Sequence, residues 1–457
     1  LASGGMNLAD GWHYIAGPNR EIVSGYSEAM ALYFRANNWQ QWPYWLCSAG
    51  AIAMAVIGLR RRWQWRQPLG TAALVLGGLL FFWAPFKAGM VRHDIGHFPM
   101  AGLYLLSGGL LIAVLFWRDL GLRPSWLNTA LLVPAAGGLW ISNPGLDWDL
   151  QLSKALRQRG LDLFWQASTS QDGRQRLRAH RHGVIEQIRS RDDVHERLPI
   201  PAGASADHLP WETMDVVSNG LRYTPRPVPH SLNAYSQGLL ELNRAFFADP
   251  QRRPEYVVLS SNSIDQRWPS IDIEGPGLSE IAKHYSLVGR GSKGSLVLRS
   301  DPGLQPLSEQ ILLQQSFDLS QNRSSSRPIP LPKPLPAGSS VSFQFKPNWL
   351  YKLRKTLYRP GFVIRARIDF ADGHHENYRL VPRAAIELPL QPLPATNGAL
   401  LGYVQAKQGL KQPAATPATT PVAIRLQLRR RGKGSTPPLS RFYDSIGLTL
   451  QGPKGSP

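Results

Sequence analysis

Cysteine is almost missing from this chain: Cys47 stands alone among 457 residues. A single thiol excludes an intrachain disulfide and any metal site built from several cysteines. Acidic residues are scarce as well, 31 Asp and Glu against 51 Lys and Arg, which leaves a formal net charge of +20. Such an excess suits nucleic acid, anionic lipid headgroups or acidic substrates. The patterns of zinc fingers, RNA-recognition modules and helix-turn-helix proteins are lacking, so nucleic acid is not an expected partner. No initiator methionine opens the chain, Leu1 standing first, and an upstream part with further membrane spans is expected. No cleavable signal peptide is readable at the start, and no internal repeat is evident.

The mean hydropathy of −0.22 averages an apolar first third with a polar, Pro-rich remainder. Residues 1–41 read as an extracytoplasmic loop with a short amphipathic helix near Tyr26 to Phe34. A helix needs roughly 20 apolar residues to cross a bilayer, and residues 42–142 offer four approaches to that length. The expected spans cover about 42–59, 71–86, 99–117 and 126–141, with Trp42, Tyr44 and Trp45 as an interfacial belt. Arg60, Arg61, Arg62 and Arg66 follow the first, and Arg118 and Arg123 follow the third. Basic short loops stay in the cytoplasm. With four spans, that rule places the N-terminal segment, the loop at 87–97 and everything after Ser142 outside the cytoplasm.

Residues 143–212 read as a helical basic connector, either a solvated face or a dock for anionic lipid worth about 1 kcal/mol per basic residue near the surface. Residues 213–300 read as an α/β module, with strands at Met214–Val217, Tyr256–Leu259 and Gly294–Leu298 and helices at Leu232–Phe247 and Leu278–Tyr285. Residues 301–340 form a Pro/Ser-rich linker, stiffest from Asn322 to Ser340. Residues 341–457 alternate at period two, with turn signals such as Asp372-Gly373, and predict a β-sandwich. The fold class expected is therefore an α-helical integral membrane portion followed by an α/β module and a C-terminal β-sandwich.

The densest chemistry is Phe86-Lys87-Ala88-Gly89-Met90-Val91-Arg92-His93-Asp94-Ile95-Gly96-His97-Phe98, ionisable groups held between two apolar runs, where charge is expensive. Arg92 and Lys87 can hold a diphosphate through charge-assisted hydrogen bonds. His93, Asp94 or His97 can accept a proton from an attacking sugar hydroxyl, and Glu28 from the N-terminal segment can join them. His93 and His97 lie four apart with Asp94 nearby, but Gly96 and Pro99 oppose a regular helix there. No metal and no cofactor is therefore assigned. The structural alternative pairs Arg92 with Asp94 and spends the histidines on loop backbone. A second group, Arg226, Asn233, Tyr235, Asp265, Arg267 and Trp268, combines rings and polar groups suited to glycan, or equally a rigid turn with a buried Arg226.

Val91-Arg92-His93-Asp94-x-x-His97, Ser24-Gly25-Tyr26-Ser27-Glu28-Ala29-Met30, Pro225-Arg226-Pro227 with Asn233-Ala234-Tyr235, Ile264-Asp265-x-Arg267-x-Pro269 and Asn377-Tyr378-Arg379-Leu380-Val381-Pro382 resemble a group of large bacterial multi-pass membrane proteins with extracytoplasmic C-terminal regions. More distantly, an Arg/His loop between spans is similar to O-antigen ligases and polymerases and to membrane glycosyltransferases of the GT-C type. The chain lacks the ligases' His-Asn pair. The resemblance implies envelope glycan biosynthesis, with transfer of glycan from a polyprenyl diphosphate lipid at the outer membrane face. The alternative is a non-catalytic, membrane-anchored envelope protein that binds glycan or a partner. A transporter is disfavoured because the apolar runs carry no ionisable residue.

Overall fold

A computed structural model of the chain describes residues 20–30, 32–33, 41–63, 68–93, scattered positions from 101 to 118, and 169–454 apart from 192, 194, 270–274, 320–327, 358–361, 411–415 and 430–436. Two compact units emerge. One joins Leu1–Ala29, Asp162–Arg354 and Pro360–Pro457, and the other joins Met30–Leu161 with Lys355–Arg359.

The first unit opens with helix α1 (Arg20–Ala29). The second unit contains strand β1 (Leu32–Tyr33), the long helices α2 (Gln41–Trp63) and α3 (Pro68–Val91), and strand β2 (Arg92–His93). β1 and β2 pair in parallel, Leu32 opposite Arg92 and Tyr33 opposite His93. On α2, Tyr44, Ala51, Ile52, Ala55 and Leu59 recur at helical spacing and are buried, while Trp42, Leu46 and Ile57 are exposed. The buried stripe meets Phe82 and Phe86 of α3 together with Ala101 and Leu105, and the Tyr44 hydroxyl donates to the Phe82 carbonyl at 2.8 Å. Gly78 lets the two helices close up, because a Cβ there would fall 2.8 Å from Ile52 Cγ1.

The expected integral membrane portion of about four spans is corrected by this arrangement. Among the described residues a single helix, over Pro68–Lys87, is long and apolar enough to cross a bilayer. α2 overlies the expected first span, but Gln41, Pro43, Ser48 and Gly50 dilute its apolar run and Arg60, Arg61 and Arg62 close it. Its inward face carries a hydroxyl pair, with Ser48 donating to the Tyr44 carbonyl at 2.8 Å. The expected third span is described only at scattered positions, and 126–141 lies outside the described residues.

In the first unit, α4 (Gln171–Arg189) starts at Ser170, whose side chain accepts from the Gly173 N–H, a regular N-cap. Its arginines 174, 176, 178 and 181 are exposed, and Arg176 pairs with Asp172 one turn away. Next come β3 (Ser205–Leu209), α5 (Thr213–Ser218), β4 (Arg222–Tyr223), α6 (Gln237–Ala248), β5 (Tyr256–Leu259), α7 (Gly275–His284), β6 (Tyr285–Arg290) and β7 (Leu296–Ser300). The strands form one sheet in the order β4-β3-β5-β7-β6. β4, β3 and β5 are parallel, and β7 and β6 add on antiparallel. Alternation on β5 splits the core: Val257 and Leu259 face α6 and α7 through Phe247, Leu278 and Ile281, whereas Tyr256 and Val258 face Val216 of α5.

Met214–Val217, expected as a strand, is the helix α5 instead. The middle strand of the parallel core is Ser205–Leu209, between β4 and β5, whose Asp207 and His208 disguise a strand buried at four of its five positions.

The rest of the unit is β8 (Glu309–Asp318), β9 (Ile329–Pro330), β10 (Ser339–Pro347), α8 (Trp349–Leu357), β11 (Val363–Phe370), β12 (His375–Leu380), β13 (Leu388–Gln391), α9 (Asn397–Lys407), β14 (Pro421–Arg429) and β15 (Tyr443–Pro453). Two antiparallel four-stranded sheets, β13-β10-β15-β8 and β12-β11-β14-β9, enclose one core. On β11, Ile364, Ala366, Ile368 and Phe370 are buried at every second position. β8 and β9 lie within residues 301–340, read from the sequence as linker. α9 leaves the β-rich part and places Leu400, Tyr403 and Val404 in the α/β core, so the two parts share hydrophobic contacts.

His208 carries a pH consequence. It is buried on β3, neither ring nitrogen has a hydrogen-bond partner among the described residues, and Asp215 and Glu212 stand 3.7 and 3.9 Å away. Burial, helped by the nearby Arg226 charge, lowers its pKa to about 3 from an ordinary 6.5. The unfolded chain therefore takes up a proton near pH 6.5 that the folded chain refuses until about pH 3. The stability His208 contributes is full above pH 6.5 and falls by about 1.4 kcal/mol per pH unit below it. Urea unfolding of wild type and His208→Gln between pH 7 and pH 4 should show a shallower decline in the variant; parallel declines refute the assignment.

Candidate functional site

α1 is ten residues long and too short to persist alone. It is held by docking contacts along its length. The Tyr235 hydroxyl donates to the Ile22 carbonyl at 2.7 Å, and Ser236 donates to the Glu21 carboxylate. Gly25 lies against the Tyr235 ring, where a Cβ would come within 2.5 Å of Cδ2, so no larger residue fits. At the C-terminal end, the last carbonyls of the helix have no intrahelical donors and carry the negative pole of its dipole. Two buried guanidinium groups answer both needs. Arg267 Nη2 and Arg379 Nη2 each donate to the Ala29 carbonyl at 2.7 Å, and Arg379 also reaches the Glu28 carbonyl at 3.1 Å.

The turn that presents Arg267 is itself unusual. Asp265 and Gln266 both have φ of 57°, a left-handed conformation that costs a non-glycine residue of order 1–3 kcal/mol. Surrounding bonds hold it there. The Arg379 N–H donates to the Gln266 carbonyl at 2.7 Å, the Trp268 N–H donates to the Arg379 carbonyl at 3.2 Å, and Arg365 donates to Gln266 Oε1 at 2.7 Å. Trp268 is fully buried, its indole N–H donating to the Pro389 carbonyl at 2.8 Å. Asp265 Oδ2 lies 3.7 Å from Arg379 Nη1. Loop strain is thus fixed to the β12 edge by both main chain and side chains.

Glu28 turns its carboxylate the other way. Its Oε1 accepts from the Tyr351 hydroxyl at 2.5 Å, and burial together with the Glu28 charge holds that hydroxyl far above its usual range. Glu28, Tyr351, Arg379 and Tyr443 line a cavity of about 10 Å³ with Phe362 and Ile364. That volume admits about one water and no sugar ring.

Arg226 occupies a separate buried node. Its Nη1 donates to Asp207 Oδ2 at 2.8 Å and its Nη2 to the Pro210 carbonyl at 2.8 Å and to Ser231 Oγ at 3.1 Å, with both ion-pair side chains fully buried. Burial pushes the Asp207 carboxyl up, against the pull of Arg226. Asn233 sits half-buried in the one-turn helix Ser231–Asn233, which leads from this node to Tyr235.

Of the residues the sequence marks for chemistry, Glu28 lies on α1, Tyr235 and Arg267 bond to it, Asp265 and Trp268 belong to the turn that presents Arg267, and Arg226 and Asn233 support the segment leading to Tyr235. Lys87 belongs to the second unit, where it donates to the Thr356 carbonyl at 3.1 Å and lies 4.9 Å over the Trp83 ring. β2 fixes the backbone of Arg92 and His93 next to β1. Asp94 and His97 lie outside the described residues. No group of three or more His, Cys, Asp or Glu able to hold a metal occurs among the described residues. Tyr351, Arg379, Asp207 and His208 were not singled out as site residues. Arg379 and Asp207 sit on β-strands at inward positions, and a charged residue at a core position was the readable signal. Comparison with protein-family models, curated proteins and solved structures gives no match.

Replacing Arg379 by Met removes one cap from α1 and leaves carbonyls short of a donor, a cost of about 1–3 kcal/mol. Amide exchange in residues 20–29 should accelerate while β11 and β14 keep their protection. Unchanged protection of α1 would show that the helix docks without this cap.

Proposed function

We propose that this chain is a membrane-anchored protein of the bacterial cell envelope, with α3 as anchor, whose folded domains bind a glycan or a partner without catalysis. One observation carries the reading: the described side chains best suited to catalysis or sugar stacking, Glu28, Tyr235, Arg226, Arg267 and Trp268, are closed inside the fold and bonded to one another's elements. Binding then falls to the outer surface. The exposed apolar side chains Leu69, Leu76, Leu79, Leu80 and Phe81 of α3 support the anchor. Arg60, Arg61, Arg62 and Arg66 precede α3, and the positive-inside rule assigns that end to the cytoplasm. Thr356 and Leu357 bond to Lys87 and Trp83 at the opposite end.

With Leu79→Arg and Leu80→Arg together, the full chain should move from the carbonate-resistant membrane pellet to the supernatant. A variant that stays in the pellet removes α3 as the anchor.

Glycan transfer from a polyprenyl diphosphate lipid is the second reading, favoured by the β1–β2 pairing that sets the N-terminal segment beside Arg92 and His93. Asp94→Asn separates the two. Under the binding reading, envelope glycan and extracted lipid profiles stay at wild-type level. A polyprenyl-linked glycan accumulating at normal protein abundance would establish transfer instead.

A further inference from the structure

In the α/β sheet, β3 and β5 are parallel neighbours whose outgoing segments part to opposite faces. From β3 the chain turns to α5, which packs on one face through Val216 with Tyr256 and Val258. From β5 it turns to α7, which packs on the other face through Leu278 and Ile281 with Val257 and Leu259. Open α/β sheets bind their ligands in the crevice at the carboxyl ends of two such strands.

The two segments are polar where they meet. Glu212, after β3, accepts from the side-chain amide of Asn262, after β5. Ser260 Oγ donates to Glu212 Oε2 at 3.5 Å and accepts from Asn262 Nδ2 at 3.3 Å. Asn262 is exposed and Glu212 half-buried, so this group opens outward, unlike the closed nodes of Arg226 and Arg267. The β5 side is held in place by α9: the Ser261 N–H donates to Asn397 Oδ1 at 2.7 Å, and the Asn397 amide donates to the Gly294 carbonyl at 2.7 Å. Beneath Glu212 lies buried His208, with Nε2 3.9 Å away and neither ring nitrogen hydrogen-bonded among the described residues. A buried orphan of this kind asks for a reason. Here the carboxylate bonds outward to Ser260 and Asn262 while the imidazole below goes without.

A carboxylate that accepts, an amide that donates and accepts, and a hydroxyl that does both match adjacent hydroxyls of a sugar. Trp211, beside Glu212 and half-buried, offers a ring for an apolar sugar face. No Lys or Arg forms an ion pair with Glu212 among the described residues, so a phosphate or carboxylate would meet an unopposed negative charge. The net charge of +20 disfavours a cation.

We propose that the crevice between the carboxyl ends of β3 and β5 binds a neutral sugar residue of a glycan, with Glu212 accepting from one hydroxyl and Asn262 and Ser260 engaging its neighbour. The proposal rests on the reading of the folded domains as glycan-binding and gives that reading a site.

The test is saturation-transfer NMR on the full chain in a sugar-free detergent, with the methyl glycosides of glucose, galactose, mannose, rhamnose and N-acetylglucosamine as probes. At least one should receive saturation, and Asn262→Ala and Glu212→Gln should each raise its Kd by about tenfold or more at an unchanged urea midpoint. Asn262 is exposed, so its variant decides the matter if Glu212→Gln unfolds. Methyl glucuronide should receive none; transfer to it equal to that of the neutral glycosides overturns the assignment of a neutral ligand. Wild-type affinity in Asn262→Ala overturns this site and leaves glycan binding elsewhere on the surface standing. No transfer to any methyl glycoside overturns the site together with the glycan half of the reading, and leaves a protein partner.

Discussion

The arrangement of the first unit depends on two guanidinium groups meeting the end of one helix. Arg267 and Arg379 come from a loop and a β-strand far apart in sequence, yet both donate to the Ala29 carbonyl. Each is almost fully buried, and a buried cation is tolerated only where acceptors take the place of water. The helix end supplies those acceptors together with a favourable partial charge. In return, the helix gains C-terminal donors that its own geometry cannot provide. The short helix, the strained Asp265–Gln266 turn and the β12 edge are therefore mutually dependent.

Asp207 and Arg226 extend the same logic to the sheet. A fully buried ion pair is weak support for net stability, since desolvation consumes much of the attraction. Its geometry nevertheless specifies a single arrangement. Arg226 reaches two carbonyls and a serine as well as Asp207, so only one placement of the 226–235 segment satisfies all of its donors. That placement delivers Tyr235 to Gly25 and thereby to α1. The buried charges thus serve position more than energy, which explains why so many reactive side chains lie beyond the reach of a ligand.

The legibility of this chain follows the locality of its signals. The alternation of Ile364, Ala366, Ile368 and Phe370 against Arg365, Arg367 and Asp369 is visible in eight residues and is a strand. Tyr256–Leu259 is equally plain as a short apolar run. β3 was hidden because Asp207 and His208 look solvent-facing until Arg226, nineteen positions later, is known to neutralise the former. α2 misled in the opposite direction: its apolar composition resembles a span, while Tyr44 and Ser48 mark a face that packs on α3. The sequence motifs around Gly25, Tyr235, Arg267 and Arg379 were recognisable as special, but chemistry alone did not distinguish a ligand site from a helix dock. The deciding fact is Gly25, where the approach of the Tyr235 ring leaves no room for a side chain.

α8 carries these internal constraints to an exposed face. Its register is fixed from within, because Tyr351 must point at Glu28 to satisfy a buried carboxylate. With 3.6 residues per turn, that single requirement directs Trp349, Leu353 and Leu357 outward together. The apolar stripe is therefore not free to turn into the core, and its exposure is imposed by the same buried contact that secures the end of α1. A change at Glu28 would act on both faces of α8, loosening the inner bond and releasing the rotation that holds the stripe outward.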